Sequence, residues 1–326
     1  MKLDVRHRTH YRYANPAAFS QHLLRLTPVS VSGQRVILTN VTIRPEPEAI
    51  DVHEDIFGNR IHVATISKPH EELEIVATSR IDRAERNAMI FEASAPWEIT
   101  RAAALGLEDA SPVAEIAPFA FPSAMSAPNS AIEAYADESL VPGRPVLAVA
   151  EDLMGRIFRD FKYDTAATGA ETLATESFSL KRGVCQDFAH VMLAALRSRR
   201  VPARYVSGYL RTIPPEGKER LQGADASHAW VSVWDPAFGW VDFDPTNDLV
   251  PGENHVTLAC GRDYGDVSPV SGIVVGAGRQ LLTVGVDVVA ASDAQTGTQL
   301  SQSQSQSQSQ SQSQTGSLLS SAGPPG

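Results

Sequence analysis

Cysteine is scarce: the 326-residue sequence holds two, Cys185 and Cys260. A disulfide framework is thereby excluded, as is a four-cysteine zinc site within one chain. Positive charge is short as well, with 28 Lys and Arg against 38 Asp and Glu and a formal net charge of −10. Binders of nucleic acid or anionic membranes need a basic surface, so neither partner is expected. No apolar run approaches the roughly 18 residues that a membrane span requires. The opening residues, Met1-Lys2-Leu3-Asp4-Val5-Arg6, lack an apolar signal region. The expectation is a cytoplasmic protein with reduced thiols.

What is present reads as globular, since 43% of residues are hydrophobic and 20% charged. The length suits about two domains with some chain to spare. The acidic excess is local: residues 91–180 hold 14 acidic and 5 basic side chains, whereas residues 181–250 hold 8 and 9. Such a stretch is ordinarily a solvated face or a connecting segment.

Residues 1–84 read as an all-β domain. Leu3, Val5, His7, Thr9, Tyr11 and Tyr13 alternate with Asp4, Arg6, Arg8, His10 and Arg12, the period of a strand with one buried face. Strands are also predicted over 36–43, 61–66 and 73–78, with a Gly58-Asn59 turn, which suggests a small sandwich or barrel. Prolines break up residues 85–144, read as short helices and loops that connect two domains. From Pro145, apolar residues at three- and four-residue spacing predict a helix to about Phe161, followed by a polar loop over 165–176. A second helix opens near Cys185, with Phe188, Val191, Met192, Ala195 and Leu196 on one face. Arg197, Arg199 and Arg200 stand at its end, where they favour the dipole. Strand-like runs follow at 203–210, 229–234, 240–243 and 281–289. Residues 145–290 thus read as one domain. Seven Ser-Gln pairs over 301–314 have no core-forming side chains, so residues 291–326 are expected to be disordered.

Three residues carry a chemical pattern. Cys185 follows Gly183 at a helix start, where free N–H groups and the dipole favour a thiolate. His228 opens a strand, from which an imidazole can deprotonate a thiol and protonate a leaving amine. Asp244 ends the next strand of a predicted hairpin, placed to orient that imidazole. Asp242 competes for the role, because the pleat points it the same way. Pro245 and Thr246 favour Asp244 by fixing its position. Trp230 shares a strand face with His228 and suits either a site wall or the core. Cys260 has no base at a recognisable spacing and reads as structural.

The ordered motifs Gly-Val-Cys-Gln-Asp-Phe-Ala (183–189), Pro-Ala-Arg-Tyr-Val-Ser-Gly-Tyr (202–209), His-Ala-Trp-Val (228–231) and Trp-Val-Asp-Phe-Asp-Pro-Thr-Asn (240–247) resemble the transglutaminase-like superfamily of thiol enzymes. Segments 24–28 and 55–59 are similar to the β-rich domain that precedes this core in a bacterial branch. The resemblance implies an α+β fold: a papain-like core, with Cys on a helix and His and Asp on an antiparallel sheet, preceded by a small all-β domain. It implies Cys185 as nucleophile, His228 as base, Asp244 as orienting acid and acyl transfer on an amide through a thioester. Peptide or protein amides are the implied substrates, and no cofactor is implied. The Cys185 N–H is one oxyanion donor, with Tyr163 a suggestion for the second.

Other readings compete. A Cys-His-Asp trio binds zinc in some proteins, with His190 or His255 as a fourth ligand, but no ligand pair has the usual short spacing, so no metal is expected. The acidic block contains no regular calcium loop, so no calcium requirement is expected. A non-catalytic binding module on the same fold is a further alternative. Among enzymes, hydrolysis needs only water, whereas cross-linking needs a second amine site that no sequence feature builds. Hydrolysis is therefore preferred.

Overall fold

A computed structural model describes residues 1–85, 89–107, 113–213 and 225–291. The expected disordered tail at 291–326 lies outside the described residues, apart from residue 291. The chain opens with β1 (Lys2–Ala17), β2 (Phe19–Leu24), β3 (Gln34–Arg44), β4 (Ala49–Glu54), β5 (Arg60–Ile66) and β6 (His70–Arg83). Helices α1 (Trp97–Ala104), α2 (Val113–Ile116), α3 (Ser130–Asp137) and α4 (Val146–Asp160) follow. Then come β7 (Lys162–Tyr163), α5 (Ala174–Leu180), β8 (Arg182–Gly183) and α6 (Cys185–Ser198). The sheet strands β9 (Ala203–Leu210), β10 (Ala226–Asp235), β11 (Gly239–Phe243) and β12 (His255–Gly261) lead to α7 (Tyr264–Val267), β13 (Val270–Val275) and β14 (Gln280–Ala290). The fold is α+β. No helix among the described residues is long and apolar enough to cross a membrane.

The first six strands build a sandwich, and the last two complete it. One sheet runs β14-β1-β6-β3 and the other β13-β2-β5-β4. Tyr13, Ile43, Leu73 and Ile75 from one sheet meet Leu24, Ala64 and Ile66 from the other, the interlocking of inner faces that holds a sandwich. Residues 270–290 therefore depart from the expectation that placed them with the catalytic stretch. They pair with β2 and β1 across more than half the chain, from Val270↔Leu24 to Ala290↔Leu3.

The second unit packs α6 against the antiparallel sheet β11-β10-β9-β12. α6 is buried along Asp187–Arg197, so it is a central helix and not the one-sided helix the sequence pattern suggests. Arg197 differs from expectation too. Its guanidinium is fully buried and donates to the carbonyls of Phe119 and Ala203 and to Ser126 Oγ, tying loops together instead of facing solvent. Residues read as a connector also join this core, with Phe91, Trp97, Ile132 and Tyr135 packing in the cluster around α4 and α6. α5 occupies the end of the segment read as a polar loop.

The two units are pinned together at β12, the sheet edge nearest the sandwich. Gln34 Nε2 donates to the Thr257 carbonyl at 2.7 Å, and its Oε1 accepts from the Thr257 N–H at 2.9 Å. Asn59 repeats the pattern at Cys260, with distances of 2.7 and 2.8 Å. Each side-chain amide thus replaces the neighbouring strand that β12 lacks. Leu3, Val5, Val286 and Val288 of the sandwich pack beside this edge on Tyr209, Val256 and Leu258 of the β11-β10-β9-β12 sheet.

Candidate active site

Backbone geometry sets the position of Cys185. It is the first residue of α6, so its N–H has no acceptor within the helix. The preceding Val184 N–H donates to Asp187 Oδ2 at 2.8 Å, half of a capping box, and Thr168 Oγ1 donates to the same oxygen at 2.6 Å. Burial raises the Asp187 pKa, and these two bonds oppose the rise. Gly183 makes the turn into the helix at φ +157°, and a Cβ there would meet Asp187 Oδ2 at 2.4 Å. The parallel pair β7–β8 sets Tyr163 opposite Gly183. Tyr163 is about half exposed, and burial followed by the nearby Cys185 raises its phenol pKa.

The hairpin β10–β11 brings in the other two residues. Val231 pairs with Phe243, so Asp244, the next residue along, reaches back past Trp230 towards His228. His228 Nε2 and Asp244 Oδ2 are 2.7 Å apart, with both residues buried. This leaves the opposite ring nitrogen available to Cys185, which lines the same cleft as His228. Burial by itself lowers the His228 pKa, but Asp244, hydrogen-bonded to the ring, and the nearby Cys185 outweigh it and carry the imidazole from 6.5 to about 10. Asp244 moves the other way. Burial raises its pKa, and hydrogen bonds from His228, His255 and Asn247 hold it well below the ordinary carboxylate range.

Sequence reasoning passed over two members of this cluster. Asn247 Nδ2 donates to Asp244 Oδ2 at 2.7 Å, and the Thr246 N–H donates to Oδ1 at 2.9 Å. His255 Nε2, read from the sequence only as a metal ligand, lies 3.2 Å from Asp244 Oδ2. Asn247 does stand in the fourth motif, three residues after Asp244, which was a usable signal. His255 arrives from β12 and had none. Asp242 does not join the cluster; its charge acts on buried Cys260.

Trp230 is fully buried and stands behind His228, with ring centroids 6.0 Å apart, and meets His255 edge-on at 5.3 Å. It is thus a core support and does not line the cleft. Gly208, which pairs with His228 on β9, leaves the space this indole fills: a Cβ there would lie 2.3 Å from the ring. Among the described residues, His228, Asp244 and His255 form a group whose ligand atoms lie within 4.8 Å of one another. Its geometry is that of two imidazoles sharing one carboxylate oxygen, and a cation there would have to displace both hydrogen bonds. His190 lies elsewhere, fully buried, with Nε2 accepting from the Tyr264 N–H at 3.2 Å. Burial lowers its pKa to about 4, so it is neutral.

A cleft opens at Cys185 and His228. Cys185, His228 and Tyr205 line one side, and His7, Thr9 and Tyr11 of β1 line the other.

Comparison with known proteins agrees with this architecture. Residues 3–82 match the bacterial transglutaminase-like N-terminal region, and residues 133–245 match the transglutaminase-like superfamily core. An uncharacterized protein of Mycobacterium tuberculosis is 36% identical over 293 residues, covering 87% of this chain and 91% of its own. The protein-glutamine gamma-glutamyltransferase of Pseudomonas aeruginosa is 37% identical over 86 residues, 26% of this chain and 13% of its own. A candidate cysteine protease of Cytophaga hutchinsonii has a solved structure that superposes with a TM-score of 0.68 at 20% identity, covering 89% of this chain and 91% of that one, and so shares the fold. With both family regions matched in order and a relative alike over nearly its whole length, the chain belongs to the transglutaminase-like superfamily.

Proposed function

We propose that the protein is a cysteine-dependent acyl-transfer enzyme that hydrolyses an amide bond. The observation that carries this reading is that Cys185 and His228 line one cleft, with His228 held from behind by the buried Asp244 at 2.7 Å. Cys185 Sγ attacks the amide carbonyl carbon, and the Cys185 N–H donates to the oxygen as charge develops there. The C–N bond breaks as His228 gives its proton to the departing amine, leaving a thioester. His228 then takes a proton from water, whose oxygen bonds to the acyl carbon. The acid leaves, and the Cys185 thiol is restored. Asp244 holds the imidazole orientation and balances its charge throughout.

Hydrolysis is favoured over transfer to a lysine amine because the described lining of the cleft contains no Asp or Glu to hold an incoming ammonium. The second reading, amine transfer to protein glutamine, draws support from the likeness over 86 residues to the Pseudomonas aeruginosa transferase. Incubation with a glutamine-containing peptide and a labelled amine separates the two. Free acid without amine incorporation, lost in Cys185→Ala, is the expected result. Stable incorporation of the amine overturns the hydrolytic reading, and activity retained by Cys185→Ala overturns both.

A further inference from the structure

We propose that the β-sandwich forms the substrate-selecting wall of the cleft and accepts amides whose acyl side carries an uncharged, apolar side chain. This rests on Cys185 being the acyl acceptor. The observation is a register. β1 and β14 are antiparallel, with Tyr11 opposite Leu282 and Thr9 opposite Val284. Successive residues of a strand point to opposite faces, so these four side chains and His7 share one face. That face lines the same cleft as Cys185 and His228.

The other face of β1 has a different chemistry. Arg8, His10 and Arg12 point away and pair with Glu72 and Glu74. One strand thus sorts its charges outward and presents an uncharged surface to the site. Apart from His228, whose charge Asp244 balances, the sorting holds around the whole described lining, which contains no Asp, Glu, Lys or Arg, although the chain has a net charge of −10. His7 does not break the rule, because burial lowers its pKa to about 4 and keeps the ring neutral. Leu282 and Val284 remain 49% and 48% exposed. Aliphatic surface left open beside a reactive thiol is surface that a bound apolar group would cover.

The wall is also held still. Tyr209 of the catalytic sheet reaches His7 Nδ1 at 3.0 Å, and His7 Nε2 meets Thr9 Oγ1 at 2.8 Å. A hydrogen-bonded series therefore runs from β9 into the face that meets substrate. Such preorganisation lets the wall discriminate without a closing motion.

Peptidyl chloromethyl ketones test the proposal, with alkylation of Cys185 followed by peptide mapping and iodoacetamide as a small reference reagent. Probes carrying Leu or Phe beside the ketone should react roughly tenfold faster than probes carrying Asp or Lys, after normalisation to iodoacetamide. Leu282→Lys should shift the Asp-to-Leu rate ratio up by roughly tenfold, and Val284→Asp should raise the Lys-to-Leu ratio similarly. Opposite shifts in two variants cannot arise from general misfolding. Equal rates for the four probes on the native protein, or unchanged ratios in both variants, overturn the wall. Failure of iodoacetamide to modify Cys185 overturns the acyl-acceptor reading itself, which distinguishes the two failures.

Discussion

His228 Nε2 and Asp244 Oδ2 meet at 2.7 Å inside the protein, and four further donors converge on the same carboxylate: Asn247 Nδ2, His255 Nε2 and the backbone N–H groups of Thr246 and Asn247. Asp244 is thus built to stay ionised while fully buried, which a lone carboxylate could not do. Asp244→Asn keeps the shape but removes the charge and brings an N–H₂ into a site made for an acceptor. Turnover by Cys185 is expected to fall roughly 10³- to 10⁴-fold with the far-ultraviolet dichroism spectrum preserved. Steady-state kinetics on a peptide amide measure this. A loss under tenfold would remove Asp244 from its orienting role.

The same pair sets a pH window for stability. The His228 pKa is higher in the folded protein than its unfolded 6.5, so its contribution is complete below 6.5 and fades as pH rises towards about 10. The Asp244 pKa is lowered from 3.8, so its contribution is complete somewhat above that value and fades as pH falls below it. The Tm difference between the native protein and Asp244→Asn should therefore be largest between roughly pH 5 and 6.5 and shrink on either side. Thermal melts from pH 3 to 10 test it. A difference that is constant across that range would contradict the ionised pair.

His255 adds a separable expectation. It touches Asp244 and does not line the cleft with Cys185, so it acts as a positioning residue. His255→Phe removes one donor to a buried carboxylate, an interaction of about 1.5–3 kcal/mol. The acid limb of the Cys185 alkylation profile should move to higher pH as Asp244 becomes easier to protonate, and kcat should fall while KM holds. An unmoved acid limb would mean that His255 only fills space.

Much of this site was legible because its chemistry is written locally. Gly183 before Cys185 marks a tight helix entry, and the run from Trp240 to Asn247 marks a strand that ends on a fixed carboxylate. The wall opposite was written less openly. The period-two pattern of β1 was plain, yet His7, Thr9 and Tyr11 read as an ordinary buried face, because their partner strand lies more than 260 residues away in sequence. A strand declares its own periodicity but not its neighbour, so β14 was visible as a strand and invisible as part of the sandwich. His255 was hidden for the same reason: β12 brings it to Asp244 only once the sheet forms. Arg197 looked like a dipole partner, and only the packing of residues 119–126 shows it to be a buried tie.

Gly183 offers a sharp test of how Cys185 is placed. Its φ of +157° and the 2.4 Å approach of a Cβ to Asp187 Oδ2 leave no room for a side chain. Gly183→Ala must push the Asp187 carboxylate off the Val184 N–H and tilt the first turn of α6. A destabilisation of about 1–3 kcal/mol is expected from the overpacking, with Cys185 alkylation slowed in the fraction that stays folded. Denaturant unfolding and labelling under native conditions read the two effects separately. Native stability together with native labelling would show that the turn has slack.

Gln34 and Asn59 make the complementary case, since they touch no reacting group. Each satisfies one backbone N–H and one carbonyl of β12 from the sandwich side, and each is almost fully buried. Truncation to Ala strands two backbone groups, and each unsatisfied buried group costs about 1–3 kcal/mol. Gln34→Ala and Asn59→Ala should each lower the urea midpoint, and the double variant should lose nearly the sum, because the two contacts lie at separate places on the strand. The effect on chemistry should differ from that of Asp244→Asn. Small-reagent alkylation of Cys185 depends on α6 and β10, whereas selection among peptidyl probes depends on β1 and β14 being held against the core. The double variant, measured at a denaturant-free temperature where it is folded, should therefore narrow the Leu-to-Asp probe ratio while iodoacetamide still modifies Cys185. If the ratio survives while stability falls, the sandwich is fixed by its apolar contacts at Tyr209 and Val256, and the two amides serve only to close the edge of β12.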